Sequence, residues 1–504
     1  MSLLTTLARL EAVRSGVAQP LATVCHRHLA AQPFVLVPLA AAGEAGAPLA
    51  ALFGRERERP VLLTVPQPLD RDLRFAFLAH LADELLPYLE GFGDDVELLE
   101  RSVKDEETGE KKTEVRELCA DAPQLIVPNE GGVELLRLLG RSMRFRRTAE
   151  DPDPGPYPAP ARVPLLGRWL THLSDRARIP GSSLLLPLTS VLARHWATGQ
   201  SSLEDAHLGA LLGWIAPPDG GRGEQAALRA ETGRDARGQL LCPPAGPATD
   251  PAFDSALLGP AVTRYDAARA AGDERLVKAR TAELDALLES VLLPVWEQVW
   301  HGIELLRTLP PGARVQERWE SDRWSYTAHR DRLAAGEPPQ PIRDDAVTAA
   351  RKLAQREREQ TRLDLQEALD DPLAMAEHRL AGQAFAGEVV AVEAAYDTSG
   401  RSPKPRPLVT VRTDDRPHAE PGGELHRAGG PAAQKAELAA VDAEAGLLTV
   451  RLLSGMGRKK EPEPGSVPEP GEQVCFTLFE LSARQSAPLP EPEDTPWTHG
   501  GPPQ

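Results

Sequence analysis

The chain has 504 residues, a formal net charge of −17 and 41% hydrophobic residues. That length holds about three domains, and its acidity excludes a protein that coats nucleic acid or an anionic membrane by bulk attraction, leaving only local basic patches for such contacts. Its 4 cysteines, Cys25, Cys119, Cys242 and Cys475, lie far apart with no C-x-x-C, which excludes a disulfide framework and a cysteine zinc site.

The opening MSLLTTLARLEAVRSG has no basic leader ahead of an apolar core. No stretch reaches the roughly eighteen uncharged apolar residues of a spanning helix. A cytoplasmic protein without membrane contact is therefore expected. Abundant arginine and alanine with little lysine is the codon signature of a GC-rich, bacterial genome.

Taken in order, the elements predict an α+β multidomain chain. It comprises an N-terminal α/β unit (1–150), a central α-helical bundle (161–335), a charged helical stalk (342–383), a small C-terminal β-barrel (384–482) and a disordered Pro-rich tail (483–504). The first unit opens with a short helix, Leu3 to Val13. Apolar runs of strand length follow at 33–39, 59–65 and 122–128. Between them Asp70 caps an amphipathic helix, and Lys104 to Lys112 is a polar turn, either a hairpin tip or an exposed loop. Asn129-Glu130-Gly131-Gly132 follows a strand and opens a helix, where an anion could sit on the helix N-terminus. It lacks the dinucleotide and P-loop glycine patterns, and Glu130 repels anions, so it reads as a capping loop.

The longest apolar block, Leu165 to Ile215, follows a Pro-rich linker at 150–160. Its periodicity predicts three helices: 165–173, a second from Ser182 through Trp196, and a third from Ser201 to Ile215. Trp169, Trp196 and Trp214 are assigned to its core. The stretch near 217–256 is rich in glycine, proline and alanine and reads as a long surface loop. One or two long helices then run over 261–308. A charged helix begins at Asp344–Asp345, and Asp371-Pro372 restarts it, since proline suits the first helical position. From Ala384 the period changes to two. About five strands then predict a small barrel, with a hairpin around 442–446.

Two stretches carry candidate contacts to nucleic acid or an acidic partner. The first is Arg141, Arg144, Phe145, Arg146 and Arg147. The second is VQERWESDRWSYTAHRDR, where Arg318, Arg323, Arg330 and Arg332 alternate with Trp319, Trp324, Tyr326 and His329. Interleaved arginine and aromatic residues suit base stacking and phosphate contact. The same pattern suits a packed seam with snorkelling arginines, and Glu317, Glu320, Asp322 and Asp331 nearly cancel the charge. Arg412 and Arg451 on the barrel strands are a third source. His172, His195 and His207 have no Cys or second His at i,i+4 spacing. They read as histidines at the edge of a helical core, not zinc ligands. Cys25-His26-Arg27-His28 cannot place its ligand types on one helical face. Ser182-Ser183 after Gly181 fails the nucleophile-elbow pattern at Leu185. No metal, cofactor or catalytic residue is therefore assigned.

One segment carries a family resemblance. A charged helix is followed by G-x-V-V-x-V-E at Gly387–Glu393, V-x-V at Val409–Val411, a hairpin, and P-G-E-x-V at Pro470–Val474. That order resembles the stalk and small β-barrel of superfamily 1 helicases of the UPF1-like class, over Asp344 to Leu481. No G-x-x-x-x-G-K-[ST] accompanies it, so the resemblance implies an accessory module without a motor. It further implies a protein that works beside such a helicase.

The leading functional expectation is thus a non-catalytic adaptor with a protein partner, accessory to a helicase or another nucleic-acid-processing complex, whose own contact with nucleic acid is local and weak. The alternatives are a hydrolase or nuclease whose site is assembled from scattered carboxylates, and a purely structural assembly protein.

Overall fold

The structure, a computed structural model, describes residues 2–43, 46–104, 111–399, 403–429, 434–457 and 459–480. The expected disordered tail and the expected turn at 105–110 lie outside the described residues.

After helix α1 (Leu3–Ser15), the apolar run Phe34–Ala40 forms strand β1, with all seven residues buried. β2 (Pro48–Gly54) pairs with it and β3 (Val61–Thr64) pairs with β2, as an antiparallel meander. α2 (Arg71–Glu90) starts where the Asp70 carboxylate accepts from the backbone N–H groups of Asp72 and Leu73, the expected cap. β4 (Val96–Lys104) and β5 (Lys111–Cys119) form a separate two-stranded ribbon. β6 (Leu125–Val127) returns to the main sheet parallel to β1. α3 (Glu130–Met143) and α4 (Val163–Ala177) follow.

The expected central bundle is corrected at the next element. Leu185–Pro187 is not helical; it is β7, a third parallel strand beside β6. Pro187 has no N–H to give a helix and drives the residue before it to extended geometry. The leucines ahead of it are buried on both sides, as a parallel strand requires. The five-stranded sheet is thus ordered β3-β2-β1-β6-β7. Residues 5–150 and 161–335, expected in two domains, belong to one compact unit spanning Thr5–Glu359.

α5 (Leu188–His195) and α6 (Leu208–Ile215) take up the rest of the apolar block. Trp196 leaves the helix and pairs with Pro20 in a short bridge. Trp169 and Trp214 are buried as expected, but Trp196 is only half-buried. The expected long loop contains a helix, α7 (Gly223–Thr232), before an irregular segment. α8 (Gly259–Ala270), α9 (Glu274–Arg307) and α10 (Val315–Ala334) complete the unit.

The alternation along β1 explains why its run is apolar throughout. Phe34 and Leu36 enter one core with Leu81 of α2, Leu136 of α3, Trp169 of α4 and Tyr326 of α10. Val35, Val37 and Leu39 enter the opposite core with Leu192, Leu211, Trp296 and Val299. A sheet covered on both faces needs no polar side.

α11 (Ala346–Asp370) and α12 (Pro372–Leu380) follow, with Pro372 at the first helical position. The second compact unit begins at Gln360, within α11. It contains β8 (Ala384–Glu393), β9 (Leu408–Arg412), β10 (Glu424–Ala428), β11 (Lys435–Asp442), β12 (Leu447–Leu452) and β13 (Gln473–Thr477). Each strand pairs with two others, so the order β8-β9-β12-β11-β10-β13 closes on itself as a barrel. The expectation of five strands missed β10, whose sequence ELHRA carries little strand signal. β8 makes closure work by pairing with β13 through its first half and β9 through its second, with an irregularity between Val389 and Ala391. Phe385, Val409, Leu438, Val450 and Phe476 fill its interior. Met375 of α12 packs beside Ala384 and Phe479 in a smaller cluster. Among the described residues no helix is long and apolar enough to cross a membrane.

Candidate interaction site

Helix α10 is polar in composition yet buried along one stripe. Val315, Trp319, Asp322, Tyr326 and His329 fall at helical spacing, and all are buried. A buried stripe containing charge must supply partners for it. Asp322, fully buried, accepts from Arg176 Nη2 at 2.8 Å, Ser182 Oγ at 2.7 Å and the Ser183 N–H at 2.6 Å. This carboxylate ties α10 to the end of α4 and to the lead into β7. Ser182 and Ser183, expected to cap a helix, are instead donors to it.

The same helix holds the segment ahead of β1. Arg318 donates to the His26 carbonyl at 3.1 Å. Trp319 stacks on His28 with ring centres 3.9 Å apart, and its indole N–H donates to Asp121 at 2.8 Å. Burial pushes the His28 imidazole below its ordinary value against the pull of Asp121 and Asp322. His195 Nε2 accepts from the His26 N–H at 3.1 Å. The Cys25 thiol is buried and donates to the Arg27 carbonyl, and burial raises its pKa. The cluster Cys25–His28 is therefore an internal strap. Among the described residues no group of three His, Cys, Asp or Glu side chains is placed to hold a metal ion.

Further along, α10 grips the base of the β4–β5 ribbon. Arg323 Nε donates to the Cys119 carbonyl at 2.8 Å, and its Nη2 meets Glu97 at 2.7 Å. Thr327 Oγ1 accepts from the Cys119 N–H at 3.1 Å. Arg330 Nη1 donates to the Gly93 carbonyl at 2.9 Å and lies 3.2 Å from Cys119 Sγ, while its Nη2 pairs with Glu117 and Asp331. Trp324 is half-buried.

Beyond that base the ribbon exposes apolar side chains. Val96, Leu98 and Glu100 alternate onto one face, opposite Cys119, Glu117 and Val115. Leu98 is 67% exposed and Val115 58%. On the other face Leu118 is fully buried. Among the described residues each strand pairs only with the other, so neither long edge has a partner strand there.

The first basic run is also structural. Arg144 is buried and donates to the carbonyls of Gln340 and Pro341, and Arg141 reaches the Ile342 carbonyl. Burial lowers the Arg144 pKa, with Arg141 adding to the effect. Arg147 pairs with Asp153, and Arg146, just past α3, donates back to the Ser142 carbonyl of that helix. On the closed sheet Arg451 pairs with Glu437 and Arg427 with Glu472, while Arg412 is exposed.

Asn129 caps α3 through the Gly132 N–H, and its amide donates to the Gly246 carbonyl at 3.0 Å. A Cβ on Gly131 would stand 2.6 Å from Pro247 Cδ, so the 246–247 loop covers this helix start. The capping reading of 129–132 agrees with that geometry.

His172 of α4 and His329 of α10 stack with ring centres 4.1 Å apart and 3° between planes. Trp169 meets His329 edge-on. Among the described residues neither Nε2 has a hydrogen-bond partner. Burial holds His172 well below its ordinary range, and His329, flanked by Arg332 and Arg168, is pushed down to about 3. Both imidazoles are thereby neutral over ordinary pH.

The interleaved arginine and aromatic residues thus converge, as their spacing suggested, but on the protein's own backbone. The polar turn at Lys104 to Lys112 offers a hairpin tip as one reading, and the two strands that flank it form the ribbon. Its sequence signal was the alternation of VELLE and EVREL beside a charged turn. No protein-family model, no curated protein and no solved structure matches the chain.

Proposed function

We propose that this protein is a non-catalytic adaptor that takes a protein partner along the β4–β5 ribbon. The observation that carries the reading is the clamp from α10. Two arginines and a threonine fix the ribbon's base, while Leu98 and Val115 stay in water and both edges stay open. A two-stranded sheet is marginal in water and gains from a third strand. An incoming extended segment would supply main-chain bonds at an edge and cover the exposed apolar pair. The arginines that were candidates for contact with nucleic acid or an acidic partner are largely engaged by carbonyls and carboxylates, which supports a protein partner over a phosphate backbone. A place beside a superfamily 1 helicase rests on the resemblance of Asp344 to Leu481.

A photoreactive amino acid at Leu98 should crosslink one dominant protein in the native cell extract. The same group at exposed Leu203 should not. Leu98→Lys with Val115→Lys should abolish the capture at unchanged circular dichroism. Capture that ignores both substitutions would overturn the reading. A captured protein bearing motor motifs would support the helicase setting. Metal-dependent cleavage of single- or double-stranded nucleic acid by the purified chain would replace the adaptor with the hydrolase alternative.

A further inference from the structure

We infer that the corner where the chain leaving α10 crosses α4 to the end of α3 binds hydrogenphosphate. The inference does not rest on the ribbon.

Residues 336–342 leave α10 as a strap, and arginines hold that strap by its backbone. Arg144, at the end of α3, donates through Nε to the Gln340 carbonyl at 2.8 Å and through Nη2 to the Pro341 carbonyl at 3.0 Å. Arg141 Nη2 reaches the Ile342 carbonyl at 3.0 Å. In return Gln340 Nε2 donates to the Arg168 carbonyl of α4 at 3.1 Å. The strap thus joins the Arg144 side chain to the turn of α4 that carries Arg168.

Polar atoms are left over beneath it. Arg144 is 2% exposed, yet its Nη1 has no hydrogen-bond partner among the described residues. The same holds for the buried Nε of Arg168 and Oε1 of Gln340, two residues that are otherwise half-buried. On the neighbouring α4–α10 seam it holds for the Nε2 atoms of His172 and His329, and His329 feels the charge of both Arg168 and Arg332. Buried donors and acceptors are almost always paired, and a charged one left unmade is costly. A group of them at one place is what a polar ligand satisfies.

The local charge is positive. Arg141 and Asp175 act on Arg144, and Glu337 and Arg332 act on Arg168. Four arginines therefore face two carboxylates, both of them exposed. Among the described residues none of the four arginines forms an ion pair. Burial lowers the pKa of Arg144 and of Arg168, as it does for cations that no counter-ion compensates.

The donor set selects the anion. Guanidinium edges suit the oxygens of a planar or tetrahedral oxyanion. Gln340 narrows the choice further. Its Nε2 is committed to the Arg168 carbonyl, which fixes Oε1 as the acceptor, and an acceptor needs an O–H. Sulfate and carboxylates bring only acceptors and would repel that oxygen. Hydrogenphosphate brings three acceptor oxygens for the arginines and one O–H for Gln340. A water molecule would satisfy Gln340 but leave the guanidinium charges uncompensated.

Three dianions at about pH 8 separate these requirements: hydrogenphosphate, sulfate, and methyl phosphate, which is fully ionised there and, like sulfate, has no O–H. Each is titrated into the full chain by isothermal calorimetry at low salt. Hydrogenphosphate should bind, with the other two at least about tenfold weaker, the discrimination expected of one hydrogen bond to a charged group. Arg168→Gln should weaken hydrogenphosphate by about tenfold or more. Gln340→Leu should bring hydrogenphosphate down to the level of sulfate. Circular dichroism checks that each variant is folded; should either unfold, the three wild-type titrations decide alone. The inference is overturned if hydrogenphosphate does not bind, or if sulfate or methyl phosphate binds as well as it does. It is equally overturned if Arg168→Gln leaves the affinity intact or Gln340→Leu leaves the preference intact.

Discussion

The chain contains two antiparallel β structures that handle their edges in opposite ways. In the C-terminal unit six strands close, each with two neighbours, around an apolar core. In the β4–β5 ribbon two strands pair, among the described residues, only with each other and leave Leu98 and Val115 in water. Closure removes edges and buries one face of every strand. The ribbon has neither benefit, and its base is held by buried hydrogen bonds from α10. Local strand preference is similar in both, so stability and exposure part company only through tertiary context.

The largest expected effect tests closure. Phe476 stacks on Phe385 inside the closed sheet, with ring centres 5.5 Å apart, and both are fully buried. Phe476→Ala should cost about 3–5 kcal/mol by urea unfolding followed through far-ultraviolet circular dichroism. A loss under about 1 kcal/mol would show that the interior is not packed as described.

Acid should separate the two units next. His172 and His329 are both depressed, His329 to about 3, so the folded protein binds fewer protons than the unfolded chain as pH falls below about 6.5. Their contribution is fully present above pH 6.5. It is lost as pH falls toward 3, by at most about 1.4 kcal/mol per unit for each site. Seven of the 8 tryptophans lie between residues 169 and 324, so tryptophan fluorescence reports this unit. It should show a thermal midpoint that falls between pH 6.5 and 4. His172→Phe with His329→Phe should flatten that fall; an unchanged slope would remove the histidine pair as its cause.

A smaller effect tests the clamp. Arg323→Ala leaves the buried Cys119 carbonyl without its donor, while the exposed side of the Glu97 pair adds little. The expected cost is about 1–3 kcal/mol, with faster amide hydrogen exchange in β4 and β5 and unchanged exchange in the closed sheet. Uniform exchange in the ribbon before and after substitution would mean that α10 does not hold it. The smallest effect lies at Leu98, where Leu98→Ala should change stability by less than about 0.5 kcal/mol while weakening partner capture. A large destabilisation there would make the residue part of a core.

Much of this architecture is local in origin, and the sequence determined it alone. Asp70 ahead of an amphipathic run starts α2 because its carboxylate meets the first free N–H groups of the helix. Pro372 after Asp371 starts α12 because its ring suits the first helical position. The alternation in β11 and β12 marks a strand pair because a half-buried sheet face repeats every two residues. Tertiary structure decided the rest. Leu184–Leu186 fits a helix stripe or a buried strand equally well until β6 is present to pair with it. β10 becomes a strand because β11 and β13 need a partner to close the ring. Arg318, Arg323 and Arg330 have the same residue types whether they face phosphate or carbonyl oxygen. Only the fold brings His26, Cys119 and Gly93 within reach of them, because contacts separated by two hundred residues or more leave no trace in local periodicity.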